Sequence, residues 1–171
     1  MSRLDTLLEE ALEAWEYTRH GVIAEAESVP ESRFDFRPAP ESRSVAELVV
    51  HIIESGEMMA GELTRPDGDF PRQSYEDHLR EHAGAISADL PKEALIGRLR
   101  ETGESGRRRI REAGEVAMLQ RIRRFDGVAG TRLAWMNHGI DHESYHRGQL
   151  ALYVRLLGRV PALTRLIRGD G

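Results

Sequence analysis

Trp135-Met136-Asn137-His138-Gly139-Ile140-Asp141-His142-Glu143-Ser144-Tyr145-His146-Arg147-Gly148-Gln149 places three histidines four residues apart. An α-helix turns once in ~3.6 residues, so side chains at i and i+4 lie one above the other on a single face. Two imidazoles in that relation offer nitrogens to one ion at roughly 2.0–2.1 Å without distorting the helix. The chain has seven histidines, and three fall in this segment. Leu133, Met136, Ile140, Tyr145, Leu150, Tyr153 and Leu157 surround them with an apolar face. Thr131 reads as the cap that opens this helix, and Gly158 as the residue that closes it. The remainder of the chain reads as a scaffold that holds the helix and supplies one more ligand.

Working outward, Leu4, Leu8, Ala11, Trp15, Thr18 and Val22 form one apolar stripe, which predicts a helix from Ser2, in a capping box with Asp5, to Ser28. Pro30, Pro38 and Pro40 punctuate a long connection whose Phe34 and Phe36 tuck against the bundle. So long a loop argues that the helices it joins are not simple hairpin neighbours. Ser44 and Glu47 make a capping box for a second helix, with Val45, Leu48, Val49, Ile52 and Met59 buried. A third helix, capped by Ser87 or Asp89, runs to about Ala113, with bends expected at Gly103 and Gly106. Residues 115–130 fit either a helical or a short extended segment, and residues 159–168 a short terminal helix over one bundle end. The fold class expected is all-α: a four-helix bundle with a long first connection, forming one domain over residues 1–171.

His51 stands on the flank of the second helix amid Val-Val-His-Ile-Ile. A histidine there is costly to bury unless its nitrogens find partners. Beside a His-x-x-x-His helix elsewhere, metal ligation is the favoured reading. His78 and His82 share the i, i+4 spacing but lie among Asp77, Arg80 and Glu81 with little apolar periodicity. A solvent-facing pair is expected there instead.

Composition narrows the chemistry. The chain has no cysteine, so any metal must be held by His, Asp, Glu or water. Net charge is −5 and the basic residues, all arginine except Lys92, are dispersed, which argues against nucleic acid as partner. No apolar run approaches the ~18–20 residues that cross a bilayer, and charges interrupt the N-terminal apolar residues. A soluble cytoplasmic protein is expected.

Asp141-His142-Glu143-Ser144-Tyr145-His146-Arg147-Gly148-Gln149-Leu150 resembles the His-x-x-x-His-Arg-Gly-Gln signature of the DinB-like (YfiT-like) metalloenzyme superfamily. Phe36-Arg37-Pro38-Ala39-Pro40, Arg43-Ser44-Val45-Ala46-Glu47-Leu48 and Val50-His51-Ile52 resemble that family's segment around its first ligand. The resemblance implies a four-helix bundle in which His51, His142 and His146 hold a divalent ion, zinc or nickel, with iron also used in the family. It further implies a homodimer and an activity as a thiol-dependent transferase, isomerase or hydrolase, with a low-molecular-weight thiol as partner. A non-catalytic, dimeric metal-binding bundle in a stress-response or binding role is the alternative.

Spacing leaves a rival triad, because His138 and His146 lie ~80° apart around the helix and cannot both point equally at one ion. The Arg-Gly-Gln tail after His146 decides for His146 by resemblance. Glu54 and Glu143 are candidates for holding the ligands' second nitrogens or shuttling protons, with a surface salt bridge the favoured reading for either. Arg147 either positions an anionic substrate or braces its helix, and Gly148 is expected to permit close helix packing.

Overall fold

The computed structural model describes residues 5–170. Its helices are α1 (Leu7–Ser28), α2 (Val45–Thr64), α3 (Tyr75–Ala83), α4 (Lys92–Met118), α5 (Arg132–Leu156) and α6 (Ala162–Arg168). Strands β1 (Arg121–Arg123) and β2 (Ala129–Thr131) form a small antiparallel hairpin between α4 and α5, with Ile122 opposite Gly130. The uncertain stretch before α5 is therefore the end of a helix followed by a hairpin.

Helices α1, α2, α4 and α5 make the bundle. Helix α2 packs on α4 and α5, and α1 packs on the same two, so α1 and α2 stand diagonally opposite. The long connection between them spans that diagonal, and its Phe34 is buried in the core with Phe36 packed beside it. Ser44 accepts from the Glu47 amide while the Glu47 carboxylate accepts from Ser44 N–H, so both halves of the expected box are made. Thr131 caps α5 by accepting from the Ala134 amide, and Gly158, at φ +74°, follows its end.

Several boundaries differ from expectation. Thr6 caps α1 by accepting from the Glu9 amide, so the helix opens later than Ser2, which lies outside the described residues. Neither Ser87 nor Asp89 caps α4; Pro91 occupies that position. The bend in α4 falls at Gly114, whose φ of +80° is open to glycine. Gly103 and Gly106 are instead helical gaps: a Cβ on Gly106 would lie 2.5 Å from the Trp15 ring, and one on Gly103 3.1 Å from Arg19. Helix α6 packs on α1 with Leu166 and Ile167 exposed, and its first amides are taken by the buried Glu25 carboxylate.

The core divides into two apolar clusters, one holding Trp15, Met59 and Ile140, the other Val22, Ile52 and Leu150. Between Trp15 and Val22 on α1 lies Arg19, and between Ile140 and Leu150 on α5 lie Glu143 and His146, all buried. A polar layer thus crosses the bundle at mid-height. The candidate metal ligands belong to it.

Candidate metal centre

Helix α5 approaches α2 closely because residue 139 is glycine: a Cβ there would lie 2.0 Å from Met59 Sδ. That approach sets His51 of α2 against His142 and His146 of α5. The three rings meet edge-on, with centroids 4.4–5.1 Å apart. His142 Nε2 lies 3.3 Å from His51 Nε2 and 3.0 Å from His146 Nε2. The ~3.3 Å edge of a tetrahedron with bonds of ~2.0–2.1 Å is the corresponding spacing in a four-coordinate zinc site.

Protons cannot satisfy this cluster. His146 Nδ1 donates to Gln149 Oε1 at 2.7 Å, which leaves Nε2 of the neutral ring with a lone pair. A single proton on His142 Nε2 can bridge to one neighbour only, and the other nitrogen still faces it at contact distance. A divalent cation accepts all three lone pairs at once, so the residues fit the ion that their spacing suggests.

The electrostatics agree. Burial pushes the His51 imidazole down to about 3, and the Arg43 guanidinium and the two neighbouring rings push the same way. Burial likewise lowers His142 and His146, while the Gln149 hydrogen bond opposes the shift at His146. Each ring is thereby kept neutral, the form that binds a metal. In metal-free protein the unfolded chain then takes up these protons more readily than the fold does. Stability is fully present above the ordinary histidine value of about 6.5 and is lost as pH falls from there toward the folded-state values. Thermal melts of chelator-treated protein are expected to show a falling Tm from neutral pH to about pH 5, shallower in His51→Gln. Equal slopes for the two proteins would refute this assignment.

The remaining candidates go to different places. Glu143 is buried, and both its oxygens are taken: Arg19 bonds to each, and Trp15 Nε1 donates at 2.9 Å. It is the anchor of a buried ion pair, not a surface one. Glu54, half-buried one turn beyond His51, makes no hydrogen bond or ion pair among the described residues, and burial raises its carboxyl. The Arg147 guanidinium lies over the Tyr17 ring, 5.2 Å from its centroid, and against Gly21, so it braces α5 on α1 and is not brought to the histidines. Gly148 faces open space, which corrects the expectation of a close packing contact. Tyr145, expected inside, is exposed at the edge of the His146 ring. His138 is exposed, rests on Trp135 and stands outside the three-nitrogen group.

Two contributors were not singled out from sequence. Gln149 orients His146, and its i+3 position within the Arg-Gly-Gln motif was the available signal. Arg43 is exposed and makes no side-chain hydrogen bond, yet its charge acts on all three histidines. Its place just before the cap of α2 was visible, but its direction was not. Beside His142 opens a cavity of about 180 Å³ with walls from Ile52, Met59, Tyr75, Phe125 and Trp135. Its lining is mainly apolar, as small-molecule sites are.

The pattern of the DinB superfamily matches residues 14–150. This chain belongs to the DinB superfamily. No curated protein matches it. Among solved structures, a DinB-like protein from Bacillus subtilis (YjoA) superposes with a TM-score of 0.68 at 20% identity, covering 88% of this chain and 93% of that one. A candidate DinB-family member from Exiguobacterium sibiricum gives 0.65 at 20%, covering 90% and 93%. A mycothiol-dependent maleylpyruvate isomerase gives 0.67 at 14% and covers 85% of this chain, which spans 61% of the isomerase. At these identities the likeness establishes the DinB-like fold. Among the described residues no helix is long and apolar enough to cross a membrane.

Proposed function

We propose that this DinB-superfamily protein is a metal-dependent enzyme, a transferase or hydrolase of a small molecule, with His51, His142 and His146 holding one divalent ion. The observation that carries this reading is the convergence of three Nε2 atoms, with His146 locked in its tautomer by Gln149. Neutral imidazole donors favour zinc or nickel, with iron a further option. A divalent ion there would supply Lewis acidity that lowers the pKa of a thiol or water brought to it.

The chain's own residues do the rest. The apolar cavity beside His142 takes the body of the substrate and excludes water. Arg43, exposed and with its charge felt by all three histidines, attracts an anionic group toward them. Glu54, its carboxyl raised by burial against the opposing charge of Arg43, accepts the proton that the nucleophile releases. A low-molecular-weight thiol is the co-substrate we favour, supported by a structural neighbour that is mycothiol-dependent.

Zinc- or nickel-loaded protein incubated with such a thiol and a panel of electrophilic acceptors is expected to consume thiol, and His142→Ala to lose that turnover. Consumption by the loaded protein no faster than in its absence would leave a non-catalytic binding bundle. We also infer a homodimer, supported by the exposed stripe of Tyr145, Leu152 and Leu156 on α5.

A further inference from the structure

Helix α3 is mostly polar, and its buried residue is a histidine, His78. The expectation that His78 and His82 face solvent is overturned: His78 is fully buried and the His82 side chain is 9% exposed. Both turn toward Glu62 of α2, which is also fully buried. His82 Nε2 lies 3.0 Å, and His78 Nδ1 3.3 Å, from the same oxygen, Glu62 Oε2.

Glu62 Oε1 accepts from Arg72 Nε and the Asp69 N–H, and Oε2 from Arg72 Nη2 and His82 Nε2, so the atom of this cluster left without a partner is His78 Nδ1. His78 Nε2 lies 2.9 Å from the Phe70 carbonyl, which only accepts, so Nε2 carries the hydrogen. In the neutral ring Nδ1 is then a lone pair facing a carboxylate. A second ring proton would not complete the contact, because buried Nδ1 makes no aligned hydrogen bond despite its proximity. An ion set between the ligands needs no such alignment toward the oxygen. The spacings of 3.0 and 3.3 Å repeat those of the three-histidine cluster. Two His and one Glu form a known zinc donor set.

Two further features fit. A Cβ on Gly61 would lie 2.2 Å from His82 Nδ1, so the ring has its seat only because that helical position is glycine. Arg72 bonds to both Glu62 oxygens and also to Glu81, which Arg65 pairs in turn, so the carboxylate is held fixed toward both rings.

We propose that Glu62, His78 and His82 form a second divalent-cation site that pins α3 to α2. Glu62 follows His51 by eleven residues, ~16 Å along the helix axis, so the two sites are separate. Pinning α3 also fixes one wall of the substrate cavity, since Tyr75 lines it and its hydroxyl meets Ser55 at 3.2 Å.

Equilibrium dialysis against zinc followed by elemental analysis tests this with four proteins: wild type, His82→Ala, His142→Ala/His146→Ala, and the combination. The expected content is about two ions per chain in wild type, about one in each partial variant, and none in the combination. Wild-type protein that holds one ion, lost entirely in His142→Ala/His146→Ala, overturns the second site and does not depend on how any α3 variant folds. The reverse pattern, one ion lost only in His82→Ala, upholds the second site while removing the three-histidine reading. His82→Gln, which keeps a hydrogen-bonding group near Glu62, is expected to lose the same ion. Retention of the full wild-type content in that variant would also overturn the proposal.

Discussion

His146→Ala is expected to abolish tight metal binding at the three-histidine cluster, whereas His138→Ala leaves it intact. The reason is direction. His146 Nε2 points at His142 Nε2 from 3.0 Å, while His138 is exposed and lies against the Trp135 ring, 5.1 Å between centroids. Losing a directly coordinating nitrogen should weaken zinc at this site by at least ~100-fold, the upper end of what removing a supporting partner costs. Gln149→Ala is the graded case: it frees His146 Nδ1 and should weaken binding by ~10–100-fold without removing a ligand. Titration of each apo protein against a chromophoric zinc chelator ranks the three. If His138→Ala proves the more damaging, the ligand pair on α5 has been misassigned.

Glu143→Ala is expected to produce the largest loss of stability. Arg19 and Glu143 are 2% and 4% exposed, and Arg19 also donates to Leu99 O and Thr102 Oγ1, so one ion pair ties α1, α4 and α5 together. Removing the carboxylate strands a guanidinium and the Trp15 indole N–H in the core. Breaking a buried pair in this way costs about 3–5 kcal/mol. At ~2–4 °C per kcal/mol for a chain of this size, Tm should fall by roughly 6–20 °C. Arg19→Met/Glu143→Leu, which removes both charges, should recover most of the loss. Denaturant melts of the three proteins at neutral pH measure this. A Glu143→Ala protein within about 1 kcal/mol of wild type would show that water reaches the pair and screens it.

The two outcomes bear differently on function. The metal variants report on the ligands themselves. The ion-pair variants report on the frame, because Glu143 follows His142 directly in α5 and its grip on Arg19 fixes the rotation of that helix about its axis. A structured Glu143→Ala protein is therefore expected to bind zinc more weakly even though no ligand has changed.

Local pattern determined much of this protein. The stripe through Leu8, Ala11, Trp15 and Val22, the Ser44–Glu47 box, Thr131 and Gly158 are signals that act within a few residues, so the bundle helices and several of their ends were readable from the chain. Periodicity together with the His-x-x-x-His-Arg-Gly-Gln motif also singled out the three histidines that the fold brings together. Tertiary structure alone decided which charged side chains turn inward. Glu143, Arg19, Glu62 and His78 look like solvated residues in their local sequence; Arg19 and Glu143 are buried because each meets the other across the bundle, and Glu62 and His78 because α3 folds back over α2. Tyr145 reads as core and is exposed, because α5 is rotated to bury the ionic Glu143 and leave Tyr145 at the rim. Gly103 and Gly106 read as bends of a helix, yet each, like Gly61 and Gly139, leaves room for a side chain from another element. A one-dimensional pattern records which face of a helix is apolar, but a buried polar group is stable only where long-range contacts deliver its partner, and that is a property of the assembled fold.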